Sequence, residues 1–438
     1  MRFPKWVQFF ALIVAALALA VAGCGDDDEG GGGGDGGDAG EPVSGTLEIA
    51  GVWTGQEAQS FKEVLAGFEE QNPDVTVKYQ AAGDQIPTVL STAVEGGNPP
   101  DLAAVAQPGL VGDFVDKGAV QPLDFVEDDL RENFASSVDV ATFDGKIYGF
   151  LFKAANKSTV WYNVPLFETA GVEHPETFDE FLENAETLKA SGTKAYSIGA
   201  DAGWPLTDIF ENIYIRQAGK EKYDQLAAHE IPWTDQSVKD ALELMAEIVG
   251  DSDNLVGGTS GALQTDFPTT VVNAFKEDAE GAQVLEGDFV GSEIAASTPA
   301  KAIEDYDVFD FPSIDDSAPS VVGGGDTIIM FEDSPAAQAL VRYLTTAEAA
   351  EIWAAKGGFS SANSQVDASV YPDELTQKTA AAIAEAETFV FDLSDLQPSE
   401  FGGTVGQGMW KAFTDFLANP DDIDGTAQTL ERDAKKAF

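Results

Sequence analysis

The sequence predicts an α/β fold in two lobes, and three observations support this. A strand at 46–53, a helix with one apolar face around 61–68 and a strand that alternates apolar residues over 75–79 follow one another. Strands that alternate with helices favour a parallel sheet covered by helices. The folded part, about 44–438, suits two lobes better than one small domain. Finally, one strand runs through a polar segment into another strand, as a chain does when it passes between lobes.

The first 23 residues have the pattern of a lipoprotein signal peptide. Arg2 and Lys5 provide the positive charge, and residues 7–22 form an apolar segment that is short for a transmembrane helix. The segment ends Val-Ala-Gly-Cys, so Cys24 is the predicted lipidation residue, and cleavage is expected just before it. Cys24 is the only cysteine in the chain. An internal disulfide is therefore excluded, and an ordinary secretory signal with an incidental cysteine is the alternative.

Residues 24–43 are predicted to be a disordered tether. The segment consists almost entirely of glycine and acidic residues and has no apolar residue that could anchor a core. It also lacks the ligand spacing of a calcium-binding loop. We therefore expect a lipid-anchored domain that is held away from the membrane surface.

The passage between lobes is predicted within residues 145–181. A strand at 146–152 is followed by a polar break at 153–159 and a second strand at 160–163. A helix then begins at Thr177, where Glu180 three residues later completes a capping box. The chain is predicted to return through strands at 306–312 and 320–330. Further helices are predicted after Asp235, at 335–344 and at 346–356.

Three short sequences in this region carry a resemblance to a known family. They are GKIYG at 145–149, VWYN at 160–163 and PETFDEF at 175–181. In this order, they resemble bacterial extracellular solute-binding protein family 1, the maltose-binding-protein-like family, and especially the α-glucoside-binding lipoproteins of ABC importers.

The resemblance implies a two-lobe type II periplasmic-binding-protein fold. Its lobes are discontinuous in sequence and joined by a hinge, and the ligand cleft lies between them. The expected boundaries are 44–152 with 305–344 for the first lobe and 153–304 with 345–438 for the second.

The charge balance excludes some partners. The chain has 24 basic and 76 acidic residues, a net charge of −52, and removal of the first 23 residues leaves −54. Such a chain does not attract nucleic acid or an anionic membrane surface by general electrostatics. The acidic residues are spread out with no ligand spacing, so no metal site is predicted.

No catalytic or cofactor motif appears in the sequence. It lacks the HExxH, GxSxG and CxxC patterns and the nucleotide-binding glycine patterns. We therefore expect neither a cofactor nor an enzyme. Paired carboxylates of a glycoside hydrolase stay open as an alternative, because acidic residues are abundant throughout the chain.

The candidate ligand-binding residues are aromatic side chains beside polar groups. The polarised C–H faces of a sugar suit an aromatic ring, and its hydroxyls need planar polar partners. Four segments combine the two, partly at places that the family uses, and the crossing and return segments add polar residues of second rank. The predicted set is Trp53, Gln56, Glu57, Gln107, Lys153, Asn156, Trp204, Asp208, Asn212, Phe289, Asp326 and Trp410.

Each of these aromatic residues could instead belong to the core, which is the more common place for tryptophan. Trp161 and Trp353 are predicted to be structural for this reason, and Trp233 is left open.

The function implied by the resemblance is sugar capture. We expect an extracytoplasmic, lipid-anchored monomer that closes on an α-glucoside or short oligosaccharide and delivers it to an ABC importer permease. An anchored polysaccharide-active enzyme, a binding protein for a non-sugar solute and a structural lipoprotein are the alternatives.

Overall fold

The structure, a computed structural model, describes residues 43–134, 137–386 and 388–438. The predicted signal peptide, Cys24 and residues 24–42 of the predicted tether lie outside these ranges. Within them, no helix is long and apolar enough to cross a bilayer.

The described strands fall into two main sheets and one small hairpin. In chain order they are β1 (Gly45–Gly51), β2 (Val75–Ala81), β3 (Leu102–Val105), β4 (Thr142–Phe143), β5 (Lys146–Ile147), β6 (Gly149–Asn156), β7 (Thr159–Asn163), β8 (Lys194–Tyr196), β9 (Gly281–Leu285), β10 (Tyr306–Asp310), β11 (Ser320–Met330), β12 (Ser360–Ser361) and β13 (Thr388–Phe391).

Helices cover the faces of both main sheets. They are α1 (Gly55–Gln71), α2 (Ile86–Glu95), α3 (Pro108–Asp116), α4 (Glu127–Asn133), α5 (Val164–Ala170), α6 (Phe178–Ala190), α7 (Trp204–Ala227), α8 (Gln236–Val249), α9 (Gly258–Ala262), α10 (Phe267–Phe275), α11 (Val290–Ser297), α12 (Pro335–Leu344), α13 (Ala347–Ala354), α14 (Glu374–Glu385), α15 (Leu393–Leu396), α16 (Ser399–Gly402), α17 (Gly408–Ala418) and α18 (Ile423–Ala437).

The larger sheet has the order β12-β6-β11-β3-β1-β2, and β13 pairs with the first residues of β11. Strands β1, β2 and β3 run parallel, whereas β11 is antiparallel to both β3 and β6. The register between β11 and β6 shifts at Asp326 and Thr327. The smaller sheet has the order β10-β7-β9-β8, in which β8 and β9 are parallel. This arrangement confirms the predicted α/β class.

Each sheet has apolar residues on both faces, because neighbouring side chains of a strand point in opposite directions. In β1, Ile49 packs with the helices of one face and Ala50 with those of the other. In β7, Val160 and Trp161 are divided between two cores in the same way. The two cores of each sheet explain why these strands lack a polar face.

Within the described residues, the chain passes between the sheets three times. It leaves the larger sheet after Asn156 and enters the smaller one at Thr159. It returns between β10 and β11, and it passes again from β13 to α15, whose residue Leu393 belongs to the core of the smaller sheet. These crossings place α15 and the end of β6 between the two sheets.

Several predicted elements match the structure closely. The capping box of Thr177 and Glu180 is present, Asp235 caps α8, and α12 has the predicted bounds. The predicted strand at 320–330 is β11. These are the places where local signals, a cap or a long apolar run, were strongest.

The polar break predicted at 153–159 is wrong for most of its length. Strand β6 continues through Lys153 to Asn156 with every residue buried, and only Lys157 and Ser158 separate it from β7. Pairing with β11 and β12 satisfies the backbone there. The polar residues Lys153 and Asn156 gave this segment the sequence pattern of a loop, although both are buried in a strand.

The packing differs from the predicted lobe boundaries at two places. Strand β10, placed in the first lobe, pairs with β7 of the smaller sheet. Helix α13, placed in the second lobe, packs on α1, and its Trp353 joins the core of the larger sheet. A helix that follows a crossing strand does not show in its sequence which sheet it covers.

Candidate functional site

The candidate site is a cavity of about 330 Å³ between the two sheets. Its walls include the segments that follow the carboxyl ends of β1, β2 and β3, among them Trp53, Asp84 and Gln107. Phe289, soon after the carboxyl end of β9, lines the opposite side. Parallel α/β sheets commonly bind ligands at this edge, and the volume lies in the range of small-molecule sites.

Eight of the predicted ligand-binding residues line this cavity. They come from both sheets, from the crossing strands and from two helix starts. They are Trp53, Glu57, Gln107, Lys153, Trp204, Phe289, Asp326 and Trp410. The structure therefore brings together residues that are far apart in the sequence, and their contact with a ligand stays a prediction.

Lys153 is the centre of a charged group in the cavity wall. Its Nζ contacts Oε1 of Glu57 at 2.5 Å and lies 3.9 Å from Oδ2 of Asp326. The same oxygen of Asp326 accepts a hydrogen bond from Nε1 of Trp53 at 2.6 Å. Burial opposes the charge of Lys153, but the two carboxylates raise the pKa of its ammonium group above the ordinary value. Helix α1, β6 and β11 are thus joined by one ion-paired network.

Three aromatic rings form the wall on the side of the smaller sheet. The ring of Trp204 lies 5.4 Å from that of Phe267 and 6.1 Å from that of Phe289, between centroids. Phe267 and Phe289 are 5.3 Å apart in an edge-to-face arrangement. Trp204 is half-buried, so part of its ring is available for contact with a ligand.

Trp204 was predicted in a loop but begins α7. Gly203 before it has φ of 104°, which an L-residue adopts only with strain, and Pro205 suits the first turn of a helix. A Cβ on Gly203 would lie 2.5 Å from the carbonyl oxygen of Trp410. The close approach of these two backbones fixes the position of Trp204 relative to α17.

The other four predicted residues do not line this cavity. Gln56 lines an adjoining cavity of about 300 Å³, which shares Glu57 and Phe289 with the first. Asn156, Asp208 and Asn212 are buried behind the wall. Asn156 accepts from the backbone N–H of Ser158, and Asn212 donates to the carbonyl oxygen of Lys157.

The sequence interpretation missed several lining residues. Asp266 and Phe267 precede Pro268, so the aromatic–proline pair of Trp204 and Pro205 is repeated there and could have been noticed. The other missed charged residues are Asp84, Lys157 and Asp395. No local pattern distinguishes those two aspartates among 76 acidic residues.

Asp84 lies in the turn at Gly83–Gln85, on the side of the larger sheet. Loss of solvent and the negative charges of Asp201 and Asp266 raise its pKa to about 6. Asp266 also lines the cavity, where its side chain caps α10. The cavity therefore presents more carboxylates than cations, which suits a ligand rich in hydroxyl donors.

Three buried polar atoms at the cavity wall have no hydrogen-bond partner among the described residues. They are Oε1 of Gln107, Nε1 of Trp410 and Oδ2 of Asp395, the last of which lies 3.6 Å from the ammonium of Lys157. Buried polar groups in proteins are normally hydrogen-bonded, so an orphaned donor and acceptor here indicate a polar ligand or ordered water.

The other tryptophans among the described residues are buried in the cores. Trp161, Trp233 and Trp353 are each at most 2% exposed. Trp53 is also largely buried and packs edge-on against Trp353 at 5.0 Å, so it has a structural contact besides its place in the cavity wall.

A family described as bacterial extracellular solute-binding protein matches residues 53–351, which is more than half of the chain. The chain belongs to this family of solute-binding proteins. The resemblance seen in the sequence and the two-lobe fold that it implied are both confirmed.

Two curated relatives of this solute-binding protein match most of both chains. The osmoprotective compounds-binding protein GgtB of Synechocystis sp. is 33% identical over 88% of this chain and 91% of its own length. The alpha-glucosides-binding periplasmic protein AglE of Rhizobium meliloti is 32% identical over 87% of this chain and 85% of its own.

Solved structures support the fold. A chitin oligosaccharide binding protein has a TM-score of 0.77 at 19% identity, over 92% of this chain and 99% of that chain. RafE in complex with raffinose has a TM-score of 0.73 at 18% identity, over 90% of this chain and 100% of that chain. At such identities the likeness concerns the fold alone. The chain is thus an extracellular solute-binding protein of the type that serves ABC transporters and has sugar-binding relatives.

Proposed function

We propose that the protein is the lipid-anchored substrate-binding component of a carbohydrate ABC importer, and that it captures an α-glucoside or short oligosaccharide. The observation that carries the proposal is the cavity wall. Trp204 and Phe289, on the side of the smaller sheet, line the cavity together with Glu57 and Asp326, on the side of the larger sheet. This combination of aromatic faces and carboxylates suits a sugar, and the α-glucoside-binding relative AglE supports the choice.

Capture is proposed to occur by closure of the hinge. A sugar that contacts both sides of the cavity stabilises the closed form, because only that form makes both sets of contacts. The closed form is then recognised by the membrane permease. Cys24 is proposed to hold the protein at the membrane, and the protein is proposed to act as a monomer without catalysis.

The adjoining cavities allow more than one sugar unit. They share Thr54, Glu57, Phe267, Pro268 and Phe289, so the space beside Gln56 continues the first cavity. A disaccharide is the smallest ligand that could use both.

A compatible solute is the second candidate ligand. The relative GgtB is named for osmoprotective compounds and matches the chain over a similar length. Trehalose and sucrose are α-glucosides that also act as osmoprotectants, so the two candidates overlap chemically. Binding of glycine betaine, a non-sugar osmoprotectant, would distinguish a non-sugar solute from a sugar as the ligand.

The test uses the mature chain, residues 24–438 with Cys24→Ser, in a thermal-shift screen with maltose, trehalose, sucrose, maltotriose and glycine betaine. A ligand at a thousand times its Kd stabilises the folded protein by about 4 kcal/mol, which is readily measured. We expect a shift with at least one α-linked sugar and no hydrolysis products in the same sample. Hydrolysis would favour the enzyme alternative, a shift with glycine betaine alone would favour the non-sugar solute, and no shift at all would remove both ligand classes.

The contribution of the aromatic wall is tested with Trp204→Ala. Loss of its ring removes a stacking contact, and we expect the Kd of the sugar found in the screen to rise by about tenfold or more, or about 1.4 kcal/mol. The control is Phe389→Ala, an exposed aromatic of β13 outside the cavity wall. Equal affinities of the two variants would argue against stacking at Trp204.

A further inference from the structure

Beside the cavity, five buried carboxyl groups surround one lysine, Lys157. None of the five is more than 4% exposed. They are Asp208, Glu211, Glu286, Asp392 and Asp395. Such a group cannot all be ionised, because unpaired buried charges are strongly unfavourable. The cluster must therefore hold protons or a further cation.

In two members of the cluster, both side-chain oxygens have partners. Glu211 accepts hydrogen bonds from the backbone N–H groups of Leu393 and Ser394 and from the hydroxyl of Tyr223, at 2.7 to 3.1 Å. Asp392 contacts the ammonium of Lys157 and accepts from the side chain of Ser394. Burial opposes its charge, but Lys157 holds the pKa of Asp392 below its usual value.

A metal ion does not fit these contacts well. Oxygens of Asp208, Glu211 and Asp392 lie within 4.8 Å of one another, as metal ligands do. The donors to Glu211 and the ammonium of Lys157 already occupy the positions that a cation would need. Among the three, only Asp208 keeps a carboxylate oxygen without a partner in the described part of the chain.

This oxygen, Oδ2 of Asp208, is near a second carboxyl group, that of Glu286. Asp208 Oδ1 lies 3.3 Å from the ammonium of Lys157, while its Oδ2 and both side-chain oxygens of Glu286 have no other hydrogen-bond donor among the described residues. The side chain of Asp208 is within hydrogen-bonding reach of both Asp392 and Glu286. Both oxygens of Asp392 already have donors, the ammonium of Lys157 among them, so Glu286 is the partner that can share a proton with Asp208. Two carboxylates repel at this range, whereas one shared proton lets an O–H of one donate to the other.

We propose that Asp208 and Glu286 form a proton-binding site whose shared proton holds together the two segments that carry Trp204 and Phe289 in the aromatic wall of the ligand cavity. Asp208 lies one turn after Trp204 on α7, and Glu286 lies three residues before Phe289. Loss of the proton places like charges between the segments that carry these two rings. Ligand binding is then linked to pH, an inference that goes beyond the proposed function and depends on it only for the identity of the ligand.

The charges that face the pair come from several elements. Asp208 faces Lys157 of the crossing segment, Asp392 and Asp395 of the segment at α15, and Glu211 of its own helix; Glu286 faces Asp208 and Lys157.

Burial and the nearby carboxylates raise the pKa of Asp208 to about 7, although Lys157 opposes the shift. Burial, followed by the charge of Asp208, raises the pKa of Glu286 well above its usual value. The native state therefore holds this proton more tightly than the unfolded chain does. The stabilisation that the pair contributes is complete below about pH 4 and is lost as the pH rises to about 7.

The test compares Glu286→Gln with the parent mature chain, both with Cys24→Ser. The amide of glutamine can donate to Asp208 without a proton. We expect the fall of Tm between pH 4 and pH 7, measured in 1 M NaCl to screen general repulsion, to become shallower in the variant. The control is Glu243→Gln, an exposed residue of α8 that removes the same charge and should keep the parent slope.

Infrared spectroscopy measures the proton directly. The carbonyl band of a protonated carboxylic acid should be present in the parent at pH 6 and weaker in Glu286→Gln. Unchanged bands and parallel Tm curves would overturn the proposal. So would stabilisation of the parent by Ca²⁺ that EDTA reverses and Glu286→Gln abolishes, because the cluster would then be a cation site.

If Glu286→Gln does not fold, Asp208→Asn provides the same comparison from the other side of the pair. A third measurement uses maltose, trehalose and sucrose as probes. For any of these sugars that binds, the affinity of the parent should fall by about tenfold from pH 6 to pH 8. This is the change that a one-unit pKa difference between the free and the bound protein gives. The affinity of Glu286→Gln should stay level over the same range. A parallel fall in both proteins would contradict this role of the shared proton. If no sugar binds, the infrared and melting results still decide the proton site.

Discussion

Lys153 is the residue on which the charged wall of the cavity depends. Its side chain is 4% exposed and is the nearest cation to Glu57 and Asp326. Removing one partner of a buried ion pair leaves the other charge without compensation. We therefore predict that Lys153→Met lowers the free energy of unfolding by about 3–5 kcal/mol at pH 8.

The same variant should lose less at pH 5 than at pH 8. Burial raises the pKa of Asp326 above its usual value, and removal of Lys153 leaves that shift unopposed, so mild acid protonates and thereby neutralises the carboxyl group. Urea unfolding at the two pH values measures the difference. The control is Lys146→Met, whose exposed partner Asp124 lies 3.8 Å away and whose loss should cost less than about 1 kcal/mol. Equal costs for the two variants would contradict the assignment of a buried network.

At this scale, the sequence predicts aromatic wall residues better than acidic ones. Trp53, Trp204 and Trp410 belong to a small set of seven tryptophans and stand beside glycine, proline or polar residues. Asp84 and Asp266 are drawn from 76 acidic residues, and what distinguishes them is their position across the cavity. That position depends on the tertiary structure, which no local pattern contains.

At the scale of one element, the start of α7 positions the aromatic wall. Gly203 combines a positive φ with a close approach to the backbone of Trp410. We predict that Gly203→Ala costs about 1–2 kcal/mol for the backbone conformation and about 1–3 kcal/mol more for the clash. The Kd of the sugar should also rise, because Trp204 follows directly.

A matched control separates the two effects. Gly145 has φ of 79°, and a Cβ there would meet no atom within 4 Å. Gly145→Ala should therefore carry only the conformational cost and leave the Kd unchanged. Urea unfolding and sugar titration of both variants provide the measurement, and the assignment fails if Gly203→Ala behaves like Gly145→Ala in both.

Element prediction succeeds where the decisive interaction is local. The capping box of α6 and the aspartate cap of α8 involve neighbours in the chain. The end of β6 was missed because Lys153 and Asn156 are stabilised by distant groups, Glu57 among them. A buried polar side chain looks like a loop residue until its partner is known.

For the whole molecule, the alternation of elements and the chain length predicted an α/β fold in two lobes, and the family resemblance implied the arrangement of those lobes. The sheet that each helix covers was not predictable in this way, since α13, placed in the second lobe, packs on α1. Alternation of strands and helices determines a layer architecture, whereas the sheet that a helix covers depends on the three-dimensional path of the crossings.

Net charge is a property of the whole molecule and leads to the last prediction. Without its first 23 residues the chain carries a net charge of −54, so we expect self-repulsion to destabilise the folded state. Raising the salt from 0.1 M to 1 M shortens the screening length from about 10 Å to about 3 Å, and we predict that the Tm at pH 7 rises steeply from low to multimolar NaCl. The control is the same series at pH 4, where many carboxyl groups are protonated and the rise should be much smaller. A rise of equal size at both pH values would indicate a general salt effect on burial of apolar surface, and a flat Tm at pH 7 would show that the repulsion does not limit stability.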